Sequence, residues 1–199
     1  MKKPIIAVDI DDVLSQSVSA MLRFSQELYG QSLSHDDYDE DLSIMWQVSK
    51  EEAEERWLKF LEQEPMRHYD VIESAVDVLT KLKQKYTLLA VTSRRQSLVE
   101  ITEEWLESNY PNVIDKVVSS RIYGEGKDNA HSLTKAEILQ EVEADYLVDD
   151  QFKHCLGATE VGVKALLFGG YPWNNHQILP QGIVRVKDWQ AVLEYFENE

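Results

Sequence analysis

Asp9 and Asp11 stand two residues apart at the end of the apolar run Pro4-Ile5-Ile6-Ala7-Val8, and a second acidic pair, Asp149-Asp150, follows Tyr146-Leu147-Val148. Each run is too short for a helix and rich enough in apolar, partly β-branched residues to be a buried strand, so the acids emerge at strand carboxyl ends, where open α/β sheets keep their active sites. If both strands share one parallel sheet, four carboxylates converge on one edge. Two like charges about 4 Å apart repel by roughly 4 kcal/mol at an effective dielectric of 20, and a bound cation removes that cost. An all-oxygen donor set with no His or Cys cluster beside it suits a hard ion, with Mg²⁺ the natural candidate. The competing reading, that strand-end acids only cap turns and face solvent, is the ordinary one for a lone Asp-x-Asp. The second pair and the residues between weigh against it.

Those intervening residues are Thr92-Ser93-Arg94-Arg95, after the apolar run Tyr86–Thr92, and Lys135, in the helical segment that leads to Asp149. The hydroxyls and turn N–H groups of the first set lie near a helix start suited to an anion. Taken singly, a strand-end Thr is a turn residue and a helix Lys is solvated. Their order along the chain is what carries information.

The elements that must position these residues follow from periodicity. Val13 to Gly30 carries a helical stripe through Val18, Met21, Leu22, Ser25 and Leu28, with a Gly stop. His35 to Asp41 is acidic and turn-like, and it lacks the Gly and the final Glu of a calcium loop. Ser49-Lys50-Glu51-Glu52 predicts a capping box opening a helix with Ala53, Trp57, Phe60 and Leu61 on one face, ending before Pro65. From about Ser74, helices and strands alternate, with strands over Tyr86–Thr92, Lys116–Ser119, Val163–Phe168 and Ile183–Val186, and a closing helix capped by Asp188. This alternation predicts an α/β doubly wound parallel sheet. The helical block after the first strand divides the chain into a core, residues 1–14 and 72–199, and a small helical cap, residues 15–71, placed to close over substrate.

A chain of 199 residues fits one domain with a modest insertion. Its formal charge, 20 minus 36 or −16, argues against a nucleic-acid polymer or an anionic membrane as partner, while leaving room for a small phosphorylated substrate met by a local island of positive charge. No run of about eighteen apolar residues and no signal-peptide pattern occurs, so a cytoplasmic location is expected. The single cysteine, Cys155, excludes a disulfide framework within the chain and reads as a packing residue.

In order, Val8-Asp9-Ile10-Asp11-Asp12-Val13-Leu14, Val91-Thr92-Ser93-Arg94, Lys135 and Leu147-Val148-Asp149-Asp150 closely resemble the motifs of the haloacid dehalogenase (HAD) superfamily of phosphotransferases. Within it the chain is similar to the 5′-nucleotidases of the 5′(3′)-deoxyribonucleotidase group and their bacterial relatives, a likeness that extends to Phe168-Gly169-Gly170-Tyr171-Pro172-Trp173-Asn174. The resemblance implies a HAD-like Rossmannoid core and a Mg²⁺-dependent phosphomonoesterase acting on a nucleoside 5′-monophosphate or deoxyribonucleotide. It implies Asp9 as nucleophile, forming an aspartyl-phosphate, and Asp11 as general acid and then base. Mg²⁺ would be held by Asp9, the Asp11 carbonyl, and Asp149 or Asp150. Thr92, Ser93, Lys135 and Arg94 would meet the phosphate. Asp12 departs from the Gly of many relatives. Ser15-Gln16-Ser17 departs from the aromatic that helps to hold the base, so a replacement is expected in the cap. Trp46, off any clear stripe, and Tyr38 are the pocket candidates, whereas Trp57 fits the apolar stripe of its helix and reads as core. His68 and His154 show no partners. Competing readings are a phosphatase of another small metabolite, a noncatalytic phospho-ligand-binding member, and a signalling receiver. A receiver places its acids and phosphoacceptor in a different order and has no lid after the first strand.

Overall fold

The computed structural model describes residues 2–63, 65–119 and 133–199. Strands β1 (Ile5–Val8), β2 (Thr87–Thr92), β3 (Lys116–Ser119), β4 (Tyr146–Asp149), β5 (Lys164–Phe168) and β6 (Ile183–Val186) form one all-parallel sheet ordered β3-β2-β1-β4-β5-β6. Among the described residues the helices are α1 (Ser17–Tyr29), α2 (Leu42–Trp46), α3 (Lys50–Glu62), α4 (Ala75–Leu82), α5 (Val99–Asn109), α6 (Lys135–Glu141), α7 (Phe152–Glu160) and α8 (Trp189–Asn198). This is the α/β doubly wound architecture that the alternation predicts.

Both faces of the sheet are covered, which is why its strands read as continuous apolar runs. Ile6, Val8, Leu88, Ala90, Val148 and Leu166 point into one core with Leu79, Trp105, Leu106, Trp189 and Phe196. The alternate residues Ile5, Ala7, Leu89, Val91, Leu147 and Ala165 pack on Ile138, Leu139, Cys155 and Ala158 of α6 and α7. Val8 pairs with Val148, and the Asp9 N–H donates to the Val148 carbonyl at 2.9 Å. Asp9 and Asp149 therefore leave the sheet side by side, at the point where strand order reverses, the crevice that open α/β sheets offer to ligands.

The chain does not enter α1 at Val13. Ile10 to Ser15 instead forms a tight turn in which the Leu14 and Ser15 N–H groups both return to the Ile10 carbonyl at 2.9 Å. Ile10, Val13 and Leu14 anchor the turn in the core, and their carbonyls are tied down by the Trp189 indole (to Val13, 2.9 Å) and the Tyr110 hydroxyl (to Leu14, 2.7 Å). Helix α1 ends on Gly30, whose φ of 65° is the left-handed conformation a C-cap needs. The segment between the turn and α4 leaves and re-enters the core at one place, with Gln16 N–H on the Asp70 carbonyl at 2.8 Å and Ile72 N–H on the Leu14 carbonyl at 2.9 Å.

Two expectations for this segment need correction. Ser49 does cap α3, accepting from the Glu52 N–H at 3.2 Å, but the Glu52 carboxylate pairs with Arg56 at 2.6 Å instead of returning to Ser49, so the box is half formed. Trp46 is not a pocket residue. It ends α2, a five-residue helix capped by Asp41, and is fully buried, with its indole N–H on Ser25 Oγ at 2.7 Å. No helix among the described residues is long and apolar enough to cross a membrane.

Truncating so large a buried side chain removes both apolar burial and a satisfied indole donor. Trp46→Ala is expected to cost about 3–5 kcal/mol of folding stability, measured by urea or guanidinium denaturation.

Candidate active site

A cleft of about 810 Å³ opens over the carboxyl edge of the sheet. Its floor carries Asp9, Asp11, Asp12, Ser93, Arg94, Lys135 and Asp150, and its roof Val18, Met21, Tyr38, Leu42, Trp57, Met66 and Tyr69. The floor is charged and the roof largely apolar.

At the centre Lys135, buried at the start of α6, places its ammonium 2.9 Å from Asp9 Oδ1 and 2.6 Å from Asp149 Oδ2. Burial works against that ammonium, yet the carboxylates of Asp149 and Asp9 more than offset it and hold its pKa above the ordinary lysine value. Asp149 is fully satisfied, since it also accepts the Gln151 N–H at 2.8 Å and faces His154 Nδ1 at 3.3 Å. Although burial raises its pKa, Lys135 and His154 outweigh this and hold Asp149 below the usual carboxylate range. Asp9, 6% exposed, has less help: burial pushes it up to about 6 despite Lys135. Burial, with Asp149 and Asp9 adding their repulsion, raises Asp150 well above its usual value. Ligand oxygens of Asp9, Asp149 and Asp150 all lie within 4.8 Å of one another.

Asp11 belongs to a different contact. Arg94 grips both of its oxygens, Nε to Oδ2 at 2.9 Å and Nη2 to Oδ1 at 2.6 Å, while Nη1 donates to Thr102 on α5 at 3.0 Å. The Asp11 carboxylate is not part of the cation cluster among the described residues. Arg94, expected at the phosphate, is thus occupied by an acid. Thr92 closes β2 in the interior, its Oγ1 accepting the Arg94 N–H at 3.2 Å. Ser93 lines the cleft, and its buried Oγ has no hydrogen-bond partner.

Further residues complete the site, among them Tyr69, which with Trp57 is one of the cap aromatics the sequence offers for the base. Asp12 has φ of 55°, in the left-handed region that favours Gly. Its carboxylate accepts from Ser17 Oγ at 2.6 Å and from the Val18 N–H at 3.2 Å, capping α1 from outside, and burial pushes its pKa up to about 7. Its φ cannot be read from sequence, though an Asp ahead of a helix start is a capping signal. His154, for which the sequence gives no partner suggesting metal binding or catalysis, faces Asp149, because the short link from the end of β4 to α7 brings the first turns of that helix beside it. Trp57, read as core, is half-buried and lines the roof, in effect exchanging places with Trp46. Tyr69 lines the roof beside it, with the Arg94 guanidinium 5.6 Å from its ring centre. Trp173 donates its indole N–H to Asp150 Oδ2 at 2.6 Å. Tyr38, as expected, faces the cleft.

Residues 3–196 match the family described as 5′ nucleotidase, deoxy (pyrimidine), cytosolic type C protein (NT5C). The Bacillus subtilis protein named "Putative nucleotidase YqfW" is 23% identical over 195 residues, covering 97% of this chain and 93% of its own length. A predicted phosphatase from Clostridium acetobutylicum superposes with a TM-score of 0.71 at 13% identity, with both chains fully covered. The D,D-heptose 1,7-bisphosphate phosphatase of B. bronchiseptica, solved with magnesium and phosphate, gives a TM-score of 0.59 at 15% identity over 100% of this chain and 99% of its own.

The residues present fit a hard divalent ion. The donors are all carboxylate oxygens, and Asp150 uses only Oδ2 toward Trp173 and Gln151, leaving Oδ1 without a protein donor among the described residues. Four carboxylates on the floor, Asp9, Asp11, Asp12 and Asp150, with Asp149 buried behind them, face the fixed cations Arg94 and Lys135. Because the Asp9 pKa is raised to about 6, below that pH a cation must displace a proton, and above it the carboxylate is already ionised. Mg²⁺ affinity is therefore expected to strengthen as pH rises through about 6, with proton release on the acid side, and the raised pKa of Asp150 extends the rise beyond that point. Calorimetric titration in buffers of different ionisation enthalpy measures both.

Proposed function

The chain belongs to the 5′ nucleotidase, deoxy (pyrimidine), cytosolic type C protein family, a hydrolase acting on phosphoric monoesters, and from that premise we propose that it cleaves a nucleoside 5′-monophosphate through a phosphorylated Asp9. The observation that carries this reading is the cluster of Asp9, Asp149 and Asp150 joined through Lys135 at the sheet's crevice.

Phosphoryl transfer requires an in-line nucleophile, positive charge around the transferred group and a proton for the leaving alkoxide. In this reading an Asp9 oxygen forms a bond to phosphorus as the ester P–O bond breaks, and Asp11 gives its proton to the leaving oxygen. Water then attacks phosphorus, the Asp9–phosphorus bond breaks, and Asp11 takes the water's proton. Asp9 and Asp150, with the Asp11 carbonyl, would hold Mg²⁺, which when bound would neutralise charge on the carboxylates and the phosphoryl oxygens. Asp150 rather than Asp149 is assigned as the direct ligand, since Asp149 is already occupied by Lys135, His154 and the Gln151 N–H. Ser93 Oγ and the neighbouring turn would receive the phosphoryl oxygens, with Thr92 behind them, and Lys135 would stabilise the nucleophile. Arg94 bears on the proton transfer because its fork holds both oxygens of Asp11 and fixes the carboxylate's orientation.

Residues 15–71 act as the cap in this proposal. Their apolar contribution to the roof suits a flat base better than a bare sugar phosphate, with Trp57 and Tyr38 as base contacts.

Two measurements test the reading. Asp9→Asn is expected to abolish phosphate release from nucleoside monophosphates and from a generic aryl phosphate, and full turnover by that variant would overturn the proposal. Trp57→Ala is expected to raise KM for a nucleotide about tenfold, the loss of roughly 1.4 kcal/mol of stacking, with kcat nearly unchanged. A screen across nucleotides and sugar phosphates reads both substrate class and the KM shift.

A further inference from the structure

Trp173 connects the roof of the cleft to its floor. Its indole N–H donates to Asp150 Oδ2 at 2.6 Å. Indole is a donor only, so this bond occupies Oδ2 as an acceptor and fixes Oδ1 as the oxygen that remains for a cation. The ring itself is held on two sides. Tyr171 stacks on it at 4.5 Å with planes 4° apart, and Tyr38 meets it edge-on at 4.7 Å and 63°. Tyr171 is in turn fixed by its hydroxyl on the Asp12 carbonyl at 2.8 Å. The loop below is pinned as well, since Asn174 donates to the Asp150 and Phe168 carbonyls at 2.9 and 2.8 Å. The other contacts come from the core, but Tyr38 comes from the inserted segment, as does His35, whose ring stacks 6.3 Å from the indole. Tyr38 can leave only by unpacking from the indole that orients Asp150.

We propose that Trp173 is a positioning residue that aims Asp150 at the metal ion, and that Tyr38 sets its orientation, so that seating of the inserted segment and metal affinity are linked. The inference rests on the metal-dependent reading above. Linkage is reciprocal: a seated roof tightens metal binding, and bound metal tightens the seat. Groups that orient a metal ligand through a hydrogen bond typically change affinity by about 10- to 100-fold when removed.

The test is Mg²⁺ titration by calorimetry on the full chain without substrate. Trp173→Phe keeps a ring for Tyr38 and Tyr171 but removes the N–H, and is expected to weaken Mg²⁺ binding about tenfold. Tyr38→Ala keeps the N–H but removes the edge-on contact, leaving Tyr171 and His35 on the ring, and is expected to weaken binding severalfold in the wild-type background and negligibly in the Trp173→Phe background. A merely structural role for Tyr38 predicts the same loss in both. Wild-type affinity in Trp173→Phe, or equal Tyr38→Ala effects in the two backgrounds, overturns the linkage and leaves the phosphatase reading standing. Absence of Mg²⁺ binding by the wild-type chain overturns both. Tyr38 is half-buried at the cleft, so should Trp173→Phe fail to fold, unchanged affinity in Tyr38→Ala still overturns the proposal and a severalfold loss supports it.

Discussion

The salt bridge that joins Lys135 to both Asp9 and Asp149 is the condition on which the rest of the site depends. Parallel pairing of β1 with β4 forces the two carboxylates together, and burial removes the water that would otherwise screen them. Repulsion of roughly 4 kcal/mol per like pair is a large share of a domain's net stability. Lys135 is placed against a local preference, since a cation at the first residue of a helix opposes the macrodipole by about 0.3–1 kcal/mol. The two carboxylates outweigh that, and the Thr134–Glu137 capping box starts the helix at the right residue. One lysine thus makes the acidic edge foldable before any ion arrives.

What the sequence made legible were features that repeat or stand in order. Short apolar runs ending in acids located β1 and β4, alternation located the sheet, and the order of Asp9, Asp11, Thr92, Lys135 and Asp149 located the crevice. Features that depend on where distant elements meet were hidden. Trp46 and Trp57 exchanged expected places because α2 spans five residues, too few to show a periodicity, while α3 has a stripe that passes from the core to the cleft. The Arg94 fork on Asp11 depends on the turns after β1 and β2 lying side by side. The contacts of His154 with Asp149 and of Trp173 with Asp150 needed the loops beyond β4 and β5. The positive φ of Asp12 left no trace in residue type, because an acid stands where Gly would have announced it.

The contacts between the inserted segment and the core differ greatly in weight. Glu40 pairs with Lys153, and Arg67 with Glu104, but all four side chains are roughly half exposed, and such pairs contribute about 0–1 kcal/mol. More substantial are the aromatic contact of Tyr38 with Trp173, the Trp105 indole bond to the Tyr69 carbonyl at 3.0 Å, and the packing of Met66 and Tyr69 into the main core. Salt is consequently a poor lever on how this segment sits, whereas loss of one ring is a strong one.

The paired hydrogen bonds of Gln16 with Asp70 and of Ile72 with Leu14 carry a broader implication. Because the excursion begins and ends at adjacent backbone positions, the strand register beneath is indifferent to what the excursion contains. Closure entropy grows only with the logarithm of its length, so lengthening, shortening or grafting a different roof perturbs the frame little. Such a junction is a modular socket: the sheet's frame tolerates a different excursion, and what an exchange puts at stake is the ring contact on Trp173 rather than the strand register.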